Sequence, residues 1–556
     1  MRILTIVKKE ILGADPILTL ALVLSFIFCL HGITTKFMHP DQMAFVPLFH
    51  EGELPFNPKW FEKPPFHTYF NYFLSVLPVS FISTALNLPP DLSDFSRKVW
   101  SRLLTSFLFL GSIVLVFHIT RKSFGVFPAR VIILIFATSA GFVAHSHFLT
   151  ADIPVMFWMM VACYFSHNIL SGGKVSDYAL AGFFTGIATA TKYNGLAVGI
   201  TIVVAHLLFL ASPFGKRSTW KQIFFGRKLL LGLVMVVVGF VIGNPFSLLD
   251  YQTFKADFIY NSMVAPVYEG QIGHSYGKFF SRMIEIIGLP SFLALSIAVA
   301  SSFSLVLLNK EQHSQRAVVL LYASAFLLYY WKFGSFPRLE TRFVLPIMPL
   351  WFIMSGPFWH ALRQQKAILP IVLLGILGYN LICCFYVGKR FLDDPRIPAE
   401  TWVQENVPPN SSIESDIYSP GWNNIPGVQV RETTMPFVSG RERLFERLFK
   451  GNPFVVGSED DRRKAEQAVK WYSLAELMKR NPDFLAVNSL YYRRFIEQGI
   501  IRELYPSMAE FFQDLFDEQY SYKIAFDKES KTIPAWIYPR DIDFLHNRAT
   551  IFARKN

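Results

Sequence analysis

The chain has 556 residues, of which 52% are hydrophobic, 16% aromatic and only 17% charged, with a formal net charge of +12. Soluble domains carry roughly a quarter charged residues, so this composition excludes a protein that is soluble throughout. The basic excess comes with no zinc motif or nucleic-acid module, which argues against nucleic acid and fits anionic membrane lipids or phosphate-bearing substrates.

Long apolar stretches recur through residues 1–388 and are missing from 389–556. Each is about as long as a helix needs to be to cross a hydrocarbon core of roughly 30 Å. Spans are expected at about 16–34, 99–120, 130–147, 153–170, 178–192, 194–212, 229–246, 290–308, 317–331, 343–360 and 367–388, about eleven in all. The segment 66–88 is apolar and aromatic but interrupted by Pro78. It is expected to lie along the membrane surface. The first apolar segment is long and no clear cleavage site follows it, so it reads as an uncleaved anchor.

Basic residues collect in cytoplasmic loops. Lys8 and Lys9 precede the first span, and the loop 213–228 carries Lys216, Arg217, Lys221, Arg227 and Lys228. With eleven spans these fall on one side, the cytoplasmic one. The loops 34–97 and 247–289 and the region 389–556 then lie outside. All four cysteines (Cys29, Cys163, Cys383, Cys384) sit in expected spans, so no disulfide framework is indicated. Residues 389–556 read as a soluble α/β domain. Helices at 399–408, 463–480 and 507–518 alternate with strands at 412–418, 484–489 and 520–526, and 535–539 is a candidate closing strand. No nucleophile elbow, Walker loop or dinucleotide fingerprint occurs there.

Ionisable residues at membrane depth are costly and are functional candidates by default. In chain order they are Asp41 in "MHPDQMAF", Glu62 and Lys63 in "FEKPPF", Asp152 in "LTADIPVMF" and Lys192 in "GIATATKYNG". Arg282 in the 247–289 loop and Arg338 and Arg342 in "PRLETRFVLP" complete the set. The expected topology brings all of them to the outer face at similar depth. Plainer readings stand beside this one. Asp152 could cap a helix, Lys192 and Arg342 could reach lipid head groups, and Glu62–Lys63 could be a surface pair worth little. His145, His147 and His274 could be metal ligands or ordinary hydrogen-bonding groups. A divalent metal is possible, but no ligand motif indicates one.

Taken in order, the acidic first-loop motif, the Lys63-Pro64-Pro65 element, the Asp152 motif, the Lys192 motif and the Arg-Phe-x-Leu-Pro element resemble GT-C glycosyltransferases. The resemblance is to the protein O-mannosyltransferase and aminoarabinose transferase type, glycosyltransferase family 39, and it covers residues 1–388. It implies a polytopic α-helical transferase domain at 1–388 with an extracytoplasmic α/β domain at 389–556. It also implies transfer of a sugar from a polyprenyl-phosphate carrier to a protein, lipid or glycan acceptor on the outer face, with inversion. Asp41 matches the catalytic carboxylate, Glu62 and Lys63 the element near the donor phosphate, and Lys192 a phosphate-contacting lysine. Arg342 and Arg282 are further phosphate-binding candidates, and Asp152 is an acid that either supports a residue touching substrate or positions the acceptor. The family usually has Asp-Glu in the first loop; here the pair is Asp41-Gln42. A bacterial plasma membrane, with the N-terminus cytoplasmic, is the expected location. A transporter of lipid-linked sugar and a non-catalytic membrane scaffold are the alternatives.

Overall fold

The computed structural model describes residues 15–35, 47–211, 226–263, 273–308, 313–365, 368–420, 429–433, 467, 469–497, 499–530 and 547–555. They form two compact units, a helical one drawn from 1–258 and 275–389 and a mixed one drawn from 259–274, 390–532 and 542–556.

In the helical unit each expected span coincides with helix. Seven helices are long and apolar enough to cross a membrane, or eight if the bent pair Val126–Ala137 and Ala140–His147 is one span. The helices Pro16–Leu30, Val175–Thr191 and Arg227–Gly243 are shorter, at 15, 17 and 17 residues. At 1.5 Å per residue they fall short of a roughly 30 Å core. The count of eleven is therefore not reached by length and composition among the described residues. Segment 66–88 is helical from Phe66 to Ala85. A π-turn at Tyr72–Val76 precedes Pro78, and the Leu77 N–H reaches back to the Tyr72 carbonyl. This widened turn accommodates a proline that would otherwise break the ladder.

Two features position the later helices. Asp15 caps the first helix, accepting from Ile17 N–H at 3.0 Å, and also takes Arg130 Nε at 2.9 Å. The sequence Gly182-x-x-x-Gly186 lets Val175–Thr191 lie directly against Arg227–Gly243. A Cβ on Gly182 would collide with the Gly232 carbonyl oxygen, and one on Gly186 with that of Val236. Small residues at such a spacing permit this backbone approach. Lys192 is the C-cap of the first of these helices, so their contact fixes where Lys192 stands. Gly186→Val is expected to cost about 1–3 kcal/mol by overpacking and to lower the thermal midpoint of the purified protein. An unchanged midpoint would contradict the contact.

The mixed unit is built on a five-stranded sheet of β1 (Ser412–Asp416), β2 (Gln429–Thr433), β3 (Phe484–Asn488), β4 (Tyr522–Glu529) and β5 (Arg548–Arg554), in the order β2-β1-β3-β5-β4. The pairings of β1 with β2 and β3 are parallel, and β5 runs antiparallel between β3 and β4. The strand that completes the sheet is Arg548–Arg554; the candidate closing strand 535–539 lies outside the described residues. One face buries Tyr472, Tyr491, Phe495 and Phe512, the other Val403, Ile413 and Ile551. Glu414 is fully buried in β1 and is neutralised by a two-pronged contact from Arg480 at 2.8 and 3.0 Å.

Candidate functional site

Asp152 is the first residue of the helix Asp152–Gly172, and Lys192 ends the helix Val175–Thr191. A helix N-terminus favours an anion and a C-terminus a cation, so each charge sits where its helix stabilises it. Lys192 is in an extended conformation (φ −158°, ψ 134°) before a 3₁₀ turn at Tyr193–Gly199, which puts its side chain at a corner between two helices. The Lys192 Nζ donates to Asp152 Oδ1 at 2.5 Å. Asp152 is 2% exposed and Lys192 15%. An ammonium carries three donors, so Asp152 orients Lys192 without exhausting it.

The Arg-Phe-x-Leu-Pro element packs against this pair. Lys192 Nζ lies 5.1 Å from the centre of the Phe343 ring, and the Arg342 guanidinium lies 5.3 Å from the same ring. Phe343 thus carries two cations, an arrangement its negative π-faces favour. Arg342 is also within electrostatic reach of Asp152, as is His145. Tyr329 donates to the Phe343 carbonyl at 2.5 Å and receives Asn194 Nδ2 at 2.6 Å, which ties the Lys192 turn to the Phe343 backbone. Glu340 pairs with both Arg338 and Arg342. Arg282 grips Glu285 through Nη1 at 2.8 Å to each oxygen and donates to the Leu339 carbonyl at 3.0 Å. Glu285 in turn accepts from Thr341 at 2.8 Å. These contacts of Arg282 hold the 339–341 segment that leads directly into Arg342.

The first loop is fastened by a different set of acids. Asn57 Nδ2 donates to Asp250 at 2.8 Å, and Lys59 pairs with Asp250 at 3.1 Å and with Glu53 at 2.9 Å. Phe61 N–H donates to Asp257 at 2.6 Å, and its carbonyl accepts from Tyr193 at 2.7 Å. The Phe61 peptide therefore links Glu62–Lys63, which follow it, to the residue after Lys192. Glu62 and Lys63 are half-buried, with Lys63 Nζ 5.6 Å from the Trp60 ring. Phe61 is fully buried and edge-on to Phe254. Phe66 packs edge-on to Trp158.

Partial burial pushes the Asp250 carboxyl up. Hydrogen bonds from Asn57, Thr253 and Lys59 outweigh it and bring the value down to about 2. Burial pushes Asp257 up as well, the Phe61 N–H pulling against it. For Asp250 the folded value lies below the ordinary 3.8. Its contribution is thus full above that value and is lost only as pH falls through about 2. At about pH 8, where both acids are ionised, proteolytic sensitivity of the 47–65 loop should be raised in Asp250→Ala relative to wild type. Equal sensitivity of the two would contradict the clamp.

Asp41 lies outside the described residues. The chain leading to it is anchored by Arg102, which is 1% exposed. Its Nη1 donates to the carbonyls of Ile33 at 2.9 Å and Thr35 at 2.7 Å, and its Nε to that of His147 at 3.2 Å. His147 also reaches the His31 carbonyl at 3.0 Å and the Val143 carbonyl at 2.8 Å, and His145 the Gly141 carbonyl at 2.8 Å. These are backbone-bonding roles. Among the described residues no group of three or more His, Cys, Asp or Glu side chains is placed to hold a metal ion. The sequence reading passed over Arg102 and His67. In each case the available signal was an ionisable side chain within a segment expected to lie in or on the membrane.

Residues 93–241 match the family model described as dolichyl-phosphate-mannose-protein mannosyltransferase, a segment that contains Arg102, Asp152 and Lys192. The crystal structure of ArnT from Cupriavidus metallidurans bound to undecaprenyl phosphate is similar at 14% identity and a TM-score of 0.50, over 96% of this chain and 97% of that one. The apo structure of the same protein gives 13% and 0.51 over the same shares. The oligosaccharyltransferase of Archaeoglobus fulgidus gives 14% and 0.48, over 94% of this chain and 80% of that one. No curated protein matches the chain. The first two likenesses cover nearly the whole of both chains and show that this chain shares the fold of that protein, while the family model matches the segment 93–241 alone; the apolar spans make the chain an integral membrane protein.

Proposed function

We propose that this protein moves a sugar from a polyprenyl-phosphate carrier to a hydroxyl-bearing acceptor at the outer face of the membrane, inverting the anomeric centre. The observation that carries the reading is that Lys192, held by Asp152 at the start of the preceding helix, meets Arg342, 150 positions later, at the Phe343 ring. The ArnT structure with undecaprenyl phosphate shows that a protein of this fold takes such a lipid.

In the reaction the acceptor oxygen forms a bond to the anomeric carbon while the bond from that carbon to the phosphate oxygen breaks. The leaving phosphate takes the electron pair, and its charge grows through the transition state. Lys63, Lys192 and Arg342 stabilise it, fixed cations in a water-poor site being worth far more than in water. Asp152 holds Lys192 in position, and Arg282 holds the segment leading into Arg342. Asp41 accepts the acceptor proton as attack proceeds. Glu62 sets the position of Lys63. The mixed C-terminal unit is extracytoplasmic.

The test is to incubate proteoliposomes with polyprenyl-phosphate sugars labelled in the sugar, and to follow label into protein, lipid and glycan fractions. Label leaving the carrier for an acceptor supports the transferase. Intact carrier that merely changes leaflet would replace it with a transporter, and no change of either kind would leave a scaffold.

A further inference from the structure

Beside the Asp152–Lys192 pair lies a set of buried polar atoms that make no hydrogen bond among the described residues. His67 is 1% exposed, and neither ring nitrogen has a partner. Asn244 is fully buried, and neither its side-chain oxygen nor its nitrogen has one. Thr150 Oγ1 and Asn194 Oδ1 are in the same condition. Native interiors rarely leave such groups unpaired, since each has given up its water.

They are gathered around one place. His67 lies within electrostatic reach of Asp152. Thr150 stands two residues before Asp152, and Asn194 two after Lys192. Asn244 follows Gly243, where a Cβ would come 2.5 Å from that of Ala190 and 3.2 Å from the Phe66 ring. Ala190 and Phe66 are near neighbours in sequence of Lys192 and His67.

The chemistry of the set selects its ligand. Phosphate oxygens only accept hydrogen bonds, and the cations Lys192 and Arg342 suit them. Here acceptors stand among donors: Asn194 Oδ1, Asn244 Oδ1 and one nitrogen of a neutral imidazole need a donor, while Asn244 Nδ2 and the other imidazole nitrogen need an acceptor. A hydroxyl is both at once. Resting on the function proposed above, we propose that His67 and Asn244, with Thr150 and Asn194, read the hydroxyls of a saccharide ring bound beside Asp152–Lys192. The site then divides its labour, with cations on the phosphate and neutral polar groups on the ring. The same chemistry would serve the sugar of the donor or that of a glycan acceptor.

The test uses the full chain in lipid nanodiscs. Binding is measured for bare polyprenyl phosphate and for polyprenyl phosphate bearing mannose, glucose, galactose or an aminopentose. Wild type is expected to bind one sugar-bearing lipid at least about tenfold more tightly than the bare lipid, since sites built to bond hydroxyls reject partners lacking them. His67→Phe and Asn244→Leu should erase that increment and leave bare-lipid binding unchanged, which also shows that the variants are folded. His67→Gln, which keeps a donor and an acceptor, should retain part of it. If the donor increment survives but either variant raises the KM for a glycan acceptor by about tenfold, the ring read here is the acceptor's. Variants that match wild type in both arms, or that lose bare and sugar-bearing lipid by the same factor, overturn the proposal; the first would mean that water satisfies these atoms. Failure of wild type to bind bare polyprenyl phosphate at all would instead remove the function on which it rests.

Discussion

Lys192→Ala should abolish detectable transfer and destabilise the protein at the same time. Asp152 is 2% exposed, and the Lys192 ammonium is 2.5 Å from it. Removing one partner of a buried pair leaves the other charge uncompensated, at about 3–5 kcal/mol. Asp152→Asn should destabilise by a similar mechanism, leaving Lys192 without its counter-charge. The two effects separate in the double variant Asp152→Asn with Lys192→Met. Replacing both charges by neutral groups of similar size is often close to neutral for stability, so the thermal midpoint should return most of the way to wild type. Transfer should not return, because the leaving phosphate has lost a fixed cation, worth on the order of 10²–10³-fold in rate. Recovery of both stability and transfer would make the pair purely structural and would strike Lys192 from the mechanism.

Asp41→Asn should leave binding of the lipid carrier intact and lower the turnover number. A carboxylate that takes the acceptor proton as attack proceeds contributes typically about 10²–10⁴-fold. Asparagine preserves shape but cannot accept that proton, so the loss should fall on kcat more than on KM. The adjacent Gln42 cannot substitute, because an amide is not a base at neutral pH. If the acceptor nucleophile is already ionised, as a phosphate is, Asp41 serves to orient it and the loss shrinks toward the lower end. Wild-type turnover in Asp41→Asn would place the base elsewhere.

Much of this was legible in the sequence because charges are conspicuous in apolar surroundings. Lys192 and Asp152 stand at the edges of uncharged stretches, and the boundaries read there fall at the ends of the helices Val175–Thr191 and Asp152–Gly172. The strands near 412, 484 and 522 announced themselves by apolar runs between helical patterns. What sequence could not supply was partnership. Nothing local says that Lys192 bonds an aspartate 40 positions earlier, that Arg282 is spent on Glu285 and the 339–341 segment, or that Phe61 is clamped between Asp257 and Tyr193. Those facts follow from tertiary packing, including the glycine contact that sets the height of Lys192. Residues 548–554 escaped notice as a strand because arginines at both ends leave only a short apolar run. The number of spans is not decided by length and composition among the described residues, for a related reason. Apolar composition marks a buried helix as readily as a crossing one, and three helices are too short to be told apart by length.

The most direct measurement is a structure of the full-length protein in nanodiscs with polyprenyl phosphate bound. The account predicts the phosphate in contact with at least two of Lys63, Lys192 and Arg342, with the prenyl chain leading away into lipid. A phosphate seated elsewhere, with Lys192 still locked on Asp152 and sealed from the ligand, would contradict it.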